Sequence, residues 1–304
     1  MIKISVKSGL RRRGMKRKLT TIAIIVLMLS GLSLLLYPLV ANIWNNYRQK
    51  TLINAYNDTV NEKVKNGEID YEEEMERAVT YNEELLPSIL PDSFAQAEAA
   101  EVEDESYMAC LNLAGDGIMG YVEIPEIGIK IPIFHTTNDD VLEIGAGHLE
   151  GSSLPVGGES THAVIAAHRG LPSASLFTDL DKLEIGDCFF IMVLDQTLAY
   201  EVDQILVVEP DETDSLAVVE GEDLVTLLTC TPYGVNTQRL LVRGHRVEYT
   251  PELLEDSKNP LAAYSLHTNY LFWVIVGLAI TALFILILYF LDKKMTKKET
   301  EKPD

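Results

Sequence analysis

The chain predicts a mainly β domain, a closed barrel or a sandwich, preceded by helix and flanked by two membrane-crossing segments. Three observations lead there. From Gly117 onward the sequence breaks into short runs rich in Val, Ile and Leu, each bounded by turn residues. Before that region, apolar residues recur at helical spacing. Two further stretches, Thr20 to Val40 and Leu271 to Leu291, are almost wholly apolar and carry no charge.

Each uncharged stretch has 21 residues, close to the roughly 20 that a helix needs to cross a bilayer. A core helix would alternate apolar and polar faces, and these do not. A cleaved signal peptide would be followed by a small-x-small site, and none follows Val40. Trp44 and Tyr47 instead suit a membrane interface. The expectation is therefore an uncleaved anchor over 20–40 and a second span over 271–291. Basic residues crowd the outer flanks: Lys3, Lys7, Arg11 to Arg13 and Lys16 to Lys18 before the first span, and Lys293, Lys294, Lys297, Lys298 and Lys302 after the second. The positive-inside rule then places residues 1–19 and 292–304 in the cytoplasm and the intervening region outside the cell.

That intervening region, from Asn46 to Asn269, holds 42 Asp and Glu against 12 Lys and Arg, a net charge of -30. The whole chain carries -21. Such a surface repels phosphate, so nucleic acid is excluded as a partner. The excess charge suits solubility.

Residues 41–88 read as a helical extension. Leu52, Tyr56, Val60 and Val64 recur every four residues until Gly67 breaks the run, and a second stretch carries Met75, Val79 and Leu86. This pattern predicts a hairpin that packs on the main domain or forms a stalk. Residues 89–116 change character, with prolines, alanines and a charge run. They predict a surface loop ending in a short helix or linker.

The strands follow: "IMGYVEIPEIGIKIPIF", "THAVIAAH", "DCFFIMVL", "LAYEVDQILVVEP", "DLVTLLTC" and "RLLVRGHRVEY". Short helices are expected at Asp139–Ile144 and Ala174–Leu180, and "GAGHLEG" reads as a Gly-rich loop. Many short strands with few helices favour a barrel or sandwich. Residues 251–270 read as a linker.

The chain has three cysteines, Cys110, Cys188 and Cys230. An exported chain can carry disulfides, and three thiols leave one over. Pairing of Cys110 with Cys188 is open at this point. Cys230 ends a Thr-rich apolar strand, "TLLTC", just before the turn Thr231-Pro232. A thiol at a strand lip can meet a substrate. Catalysis by thiol needs the thiolate, so a base or cation must lie nearby, and acyl transfer needs a donor for the developing oxyanion.

Six histidines are available: His135, His148, His162, His168, His245 and His267. His168 stands out because it also ends a strand, beside Gly170. For the cation, Arg239, Arg243 and Arg246 follow the turn after Cys230, and Arg239 and Arg243 point to one face of a strand. No CxxC or HExxH spacing suggests a metal, and no cofactor is implied. Cys188 and Cys110 read as structural thiols.

Taken together, "TLLTC", "RLLVRGHR", "AAHRG", "GAGHLEGSSLPVGG" and "LFTDLDKLEIGD" resemble the sortases, and specifically class C, the pilin-polymerising type. The resemblance runs from about Gly117 to Val247. It implies an eight-stranded β-barrel over 117–250. It implies Cys230 as nucleophile, His168 as general acid and base, and Arg239 as stabiliser of the transition state. Thr229 would help position the substrate groove. The implied substrate is a sorting signal of the LPxTG kind on a pilin or surface protein, joined to a lysine by an isopeptide bond. Class C members also carry a lid with an Asp-Pro-aromatic motif. The matching stretch here is "PDSFAQAE", giving Asp92 and Phe94 as lid residues, with the proline before the aspartate instead of after it. Two other functions compete: anchoring of single proteins to the cell wall by the same triad, and a non-catalytic membrane receptor with a β-domain, which would not need Cys230.

Overall fold

The computed structural model describes residues 2–85, 105–259 and 268–300. The chain divides into two compact units, one formed by residues 1–40 and 267–304 and the other by residues 41–266.

The first unit is helical. It contains the start of helix α1 (Ile2–Lys65) and a second helix over Thr268–Thr300. Both are long and apolar enough to cross a membrane. Many of their described apolar side chains are exposed; Leu27 and Leu34, for example, are 73% and 77% exposed. Ser30 and Ser33 donate their hydroxyls to Leu27 O and Leu29 O, and Thr281 donates to Gly277 O. No hydroxyl of these three is left to seek water, which is what a helix in lipid requires. Gly277 lies against Leu35, where a small residue lets two helices approach.

The second unit begins with the remainder of α1. Tyr56 and Val60 are buried with Leu113, Ile118 and Phe134 of the main domain, so this segment packs on it. Gly67, at φ +73°, supplies the left-handed turn that ends the helix. The second arm, α2 (Tyr71–Glu84), starts where the Asp70 side chain accepts from Glu72 N. It buries Ala78 in the main core, with Met75 and Tyr81 packed beside it. A five-residue helix, α3 (Glu105–Ala109), buries Tyr107.

Eight strands close the barrel: β1 (Ile118–Ile124), β2 (Ile129–Phe134), β3 (Ala146–His148), β4 (Thr161–Ala166), β5 (Cys188–Val193), β6 (Gln196–Val208), β7 (Asp223–Thr231) and β8 (Gln238–Val247). Their order around the barrel is β1-β2-β3-β4-β7-β8-β6-β5. The pairs β2/β3 and β4/β7 are parallel, and the rest are antiparallel. Alternate side chains fill the interior, among them Val122, Ile165, Phe189, Tyr200, Leu227 and Val242. The other faces of β4, β7 and β8 are covered too: Val164, Ala166, Leu228 and Leu241 are buried beneath Leu149 and Leu216. Burial on both faces explains why "AVIA" and "LVTLLTC" read as unbroken apolar runs.

Four expectations need correction. The Gly-rich stretch expected as loop contains β3. Its glycine is what makes the strand possible: a Cβ on Gly147 would sit 2.1 Å from Thr136 O, so only glycine allows the close backbone approach to the segment after β2. The helix expected at Ala174–Leu180 is absent. Those residues form turns, with Leu176 at φ +39°, and the amide and hydroxyl of Ser175 both donate to Asn42 Oδ1, 133 positions away. The helix expected at Asp139–Ile144 is present in shorter form as α4 (Asp139–Leu142). The linker expected after the barrel begins with α5 (Pro251–Asp256), capped by Thr250, whose Leu253 and Leu254 pack over Cys188, Phe190 and Ala199. The last helix, Thr268–Thr300, is α6.

Candidate active site

Three neighbouring strands converge on Cys230. It lies near the end of β7, directly opposite Arg239 in the antiparallel ladder with β8. Directly opposed residues share a face of the sheet. The next pair on that face, Leu228 with Leu241, belongs to the apolar cluster outside the barrel interior. Cys230 and Arg239 therefore lie on the outer face, and each is only 8% exposed. The Arg239 guanidinium is steadied from below. Its Nη1 donates to Asn236 O at 3.3 Å and to Gln238 O at 3.2 Å.

The third strand is β4. In its parallel register with β7, Ala166 is level with Leu228. His168 follows two residues after Ala166, beyond the end of this ladder, and Cys230 two residues after Leu228. The chain is held as it leaves β4: Ala167 N donates to Leu228 O, and Phe177 N donates to His168 O. Burial lowers the His168 pKa, and Asp139 and Glu143 oppose that effect. This acidic pair is not legible locally, because α4 and its C-cap Glu143 come near His168 only through the tertiary fold.

Thr229 is fully buried and faces the barrel interior, away from Cys230. Its hydroxyl donates to Ala167 O at 2.7 Å. It does not line the groove as expected of a substrate-positioning residue; what it fixes is the backbone before His168. Asp92 and Phe94, the expected lid residues, lie outside the described residues.

Three of the other histidines, His162, His148 and His135, have structural partners. His162 Nδ1–H donates to Ala217 O at 2.9 Å, and Nε2 accepts from the Thr226 hydroxyl at 2.7 Å. This ties the loop before β7 to the outer face of the barrel. His148 is completely buried between the Tyr107 hydroxyl and Ser153 O, and His135 lies against the carbonyls of Gly117 and Cys110. Among the described residues, which include all three cysteines, there is no disulfide. Cys188 is capped by α5, and burial with the nearby Glu201 raises its pKa, which keeps it a thiol. Among the described residues no group of three or more His, Cys, Asp or Glu could hold a metal.

Beside Arg239, a shallow pocket on the outer face is lined by Val208, Pro210, Leu216, Leu228 and Leu241, with Glu209 and Glu212 at its side. A thiol paired with a guanidinium, with an imidazole two residues beyond the end of the neighbouring strand, can support acyl transfer from a peptide to an amine.

The family model described as the sortase domain matches residues 122–247, which run from β1 to the end of β8. The chain belongs to the sortase family, in class C. Sortase C of Streptococcus pneumoniae is 47% identical, with 66% of this chain and 98% of that chain covered and a TM-score of 0.58. Sortase C-1 of Actinomyces oris is 44% identical over 59% and 98% of the two chains, at a TM-score of 0.56. Among curated relatives, Sortase D of Bacillus subtilis is 30% identical over 42% of this chain. Sortase A of Streptococcus agalactiae is 27% identical over 50% of this chain. The matches span 63% and 62% of those two relatives, less than two thirds of their length. Sortases are transpeptidases, and this chain is a sortase with the eight-stranded barrel of the family.

Proposed function

We propose that this sortase is a membrane-anchored cysteine transpeptidase that cleaves LPxTG-type sorting signals and joins pilin subunits through isopeptide bonds to lysine. Cys230 is the nucleophile, His168 the general acid and base, and Arg239 the stabiliser of the transition state. The observation that supports the reading is the pairing of Cys230 with Arg239 across β7 and β8, with His168 two residues beyond the end of the neighbouring β4.

In the first half-reaction His168 takes the Cys230 proton and the thiolate adds to the carbonyl carbon of the threonine in the sorting signal. Negative charge moves to the carbonyl oxygen, where Arg239 stabilises it. The C–N bond to glycine then breaks, and His168 returns its proton to the departing amine. A thioester remains on Cys230. In the second half, a lysine amine of the next subunit adds to that thioester. His168 receives the amine proton, the C–S bond breaks, and the new amide leaves.

Pilin polymerisation is favoured over anchoring of single proteins by the likeness to sortases of the C type. One of those, from Streptococcus pneumoniae, is described in connection with pilin substrate specificity, and another, from Group B Streptococcus, as pilus-related. The two candidate spans and their basic flanks support a topology with both termini in the cytoplasm and the barrel outside. A reporter at either terminus should then report cytoplasm, and a tag at Asp211 should be accessible from outside.

The decisive experiment incubates the full chain in detergent with an LPxTG-type sorting peptide and a lysine-bearing pilin domain. Mass spectrometry should find a thioacyl adduct on Cys230 and then an amide on a lysine. Transfer to a cell-wall peptide amine in preference to the pilin lysine would favour the anchoring role. Absence of any adduct on Cys230 would overturn the catalytic reading.

A further inference from the structure

The residues on either side of His168 are bonded to the residues on either side of Cys230. On one side, the Thr229 hydroxyl donates to Ala167 O. On the other, Arg169 reaches across to Thr231: its Nη1 donates to Thr231 Oγ1 at 3.0 Å. The regular β4/β7 ladder has already ended at Ala166 and Leu228. Beyond one last backbone bond, from Ala167 N to Leu228 O, these side-chain bonds tie the two chain ends together.

Arg169 is well placed for this. Its side chain is 7% exposed, low for an arginine, and its guanidinium bonds in three directions. Besides Thr231, Nε donates to Thr178 O at 3.1 Å and Nη2 donates to the Asp181 carboxylate. The neighbouring amide, Gly170 N, donates to Thr178 Oγ1. Thr178 and Asp181 belong to the segment whose Phe177 N holds His168 O. One planar fork thus joins the chain after His168, the chain after Cys230 and the loop that supports both. A lysine has a single ammonium on a flexible stem and cannot hold three fixed directions at once.

We propose that Arg169 is a positioning residue for the thiol–imidazole pair, acting through Thr231. This rests on the reading of Cys230 as nucleophile and His168 as acid and base. Neither Arg169 nor Thr231 needs to touch substrate. Their task is to keep the imidazole within proton-transfer reach of the sulfur, and displacement by about 1 Å can cost up to about 100-fold in rate.

The test uses the full chain in detergent and four variants: Arg169→Lys, Thr231→Val, the double variant and Asp181→Asn. Two quantities are read. One is kcat and KM for thioacyl formation with an LPxTG-type peptide. The other is the pH profile of Cys230 alkylation by iodoacetamide, in a Cys110→Ala/Cys188→Ala background, which needs no peptide. Arg169→Lys and Thr231→Val should each lower kcat by roughly 10- to 100-fold with KM within about twofold. Their alkylation profiles should move to higher pH, towards that of His168→Ala, because the thiol loses its base. The double variant should be no worse than the poorer single one, since both cut the same link. Asp181→Asn should give a smaller shift of the same sign.

If Arg169→Lys fails to fold, Thr231→Val and Asp181→Asn still decide. Folded variants with wild-type kcat and an unmoved alkylation profile would overturn the positioning role. So would fully additive losses in the double variant. A wild-type enzyme that forms no thioacyl adduct would instead overturn the reading of Cys230, and the alkylation profiles would still show whether Arg169 couples the thiol to the imidazole.

Discussion

Cys230 and Arg239 are direct cross-strand partners, and both project from the outer face of the barrel. They stand nine positions apart in sequence, and the loop over 232–237 folds them back to one level. Arg243, two pleat repeats further along and past Leu241, has a different commitment. Its Nε and Nη2 donate to the two carboxylate oxygens of Asp203 at 3.0 and 2.8 Å.

The two arginines should therefore respond differently to the same substitution. Arg239→Lys keeps the charge but loses the planar donor fork, and should lower kcat by roughly 100-fold, the scale of losing an oxyanion donor. Arg243→Lys breaks a partly exposed bidentate pair. It should cost up to about 1 kcal/mol of stability and leave kcat within about twofold. Steady-state kinetics on both variants check this. Equal losses would mean that the stabilising cation has been misassigned.

The three thiols should also separate. Cys230→Ala should abolish thioacyl formation and polymer formation. Cys110→Ala should leave the chemistry intact, because Cys110 is buried in the main core with Tyr107 and Leu111. Cys188→Ala should do the same, because that thiol is covered by α5 and its raised pKa keeps it protonated. Retention of a thioacyl adduct in Cys230→Ala would show that another residue is the nucleophile.

The parts of this arrangement that were legible in the sequence are those set by local pattern. The strands β4 and β7 declared themselves because burial on both faces makes continuous apolar runs, and Cys230 and His168 each end such a run. Arg239 was legible from alternation along β8. The resemblance then joined the three. What was not legible depends on contacts between distant segments. The strand β3 exists because Gly147 lets two backbones meet, which composition alone reads as loop. Ala174–Leu180 has helix-like spacing, but Asn42 captures both donors of Ser175. Thr229 sits next to Cys230 in sequence yet faces the opposite side of the strand. Arg169 is adjacent to His168 in "AAHRG", and nothing local says that its guanidinium reaches Thr231.

The acidic limb of the pH–rate profile should depend on α4. Burial lowers the His168 pKa, and the negative charges of Asp139 and Glu143 raise it part of the way back. Removing those charges in Asp139→Asn/Glu143→Gln leaves burial unopposed, so the His168 pKa falls further. The base form then survives to lower pH. The acidic limb of kcat/KM should move to lower pH than in the wild type, read from profiles between pH 5 and 8. A limb that stays in place, or moves to higher pH, would mean that these carboxylates do not act on His168 in the reaction.

The stability of the barrel should fall with acidification because of His148. The imidazole is completely buried, with Nδ1 2.9 Å from the Tyr107 hydroxyl and Nε2 2.8 Å from Ser153 O. A neutral ring satisfies both: Nε2–H donates to Ser153 O, and Nδ1 accepts from Tyr107. Burial pushes its pKa down to about 4; the Ser153 hydrogen bond opposes this, and nearby His135 adds to it. In the unfolded chain the same group titrates near the ordinary value of about 6.5. Between these two values the unfolded chain takes up a proton that the folded barrel refuses. Stability is therefore unaffected by this group above about pH 6.5 and declines as the pH falls through the window towards 4, by up to about 3 kcal/mol in total. Burial lowers the pKa of His162 as well, so its contribution has the same sign. Urea midpoints measured from pH 7 to pH 4 should fall more steeply in the wild type than in His148→Gln. That variant should start lower at pH 7, because it disturbs the Tyr107 and Ser153 contacts, but should lose less on acidification. The comparison of slopes separates His148 from the carboxylates that titrate in both proteins. Parallel slopes would mean that His148 accepts a proton in the folded barrel as readily as it does in the unfolded chain.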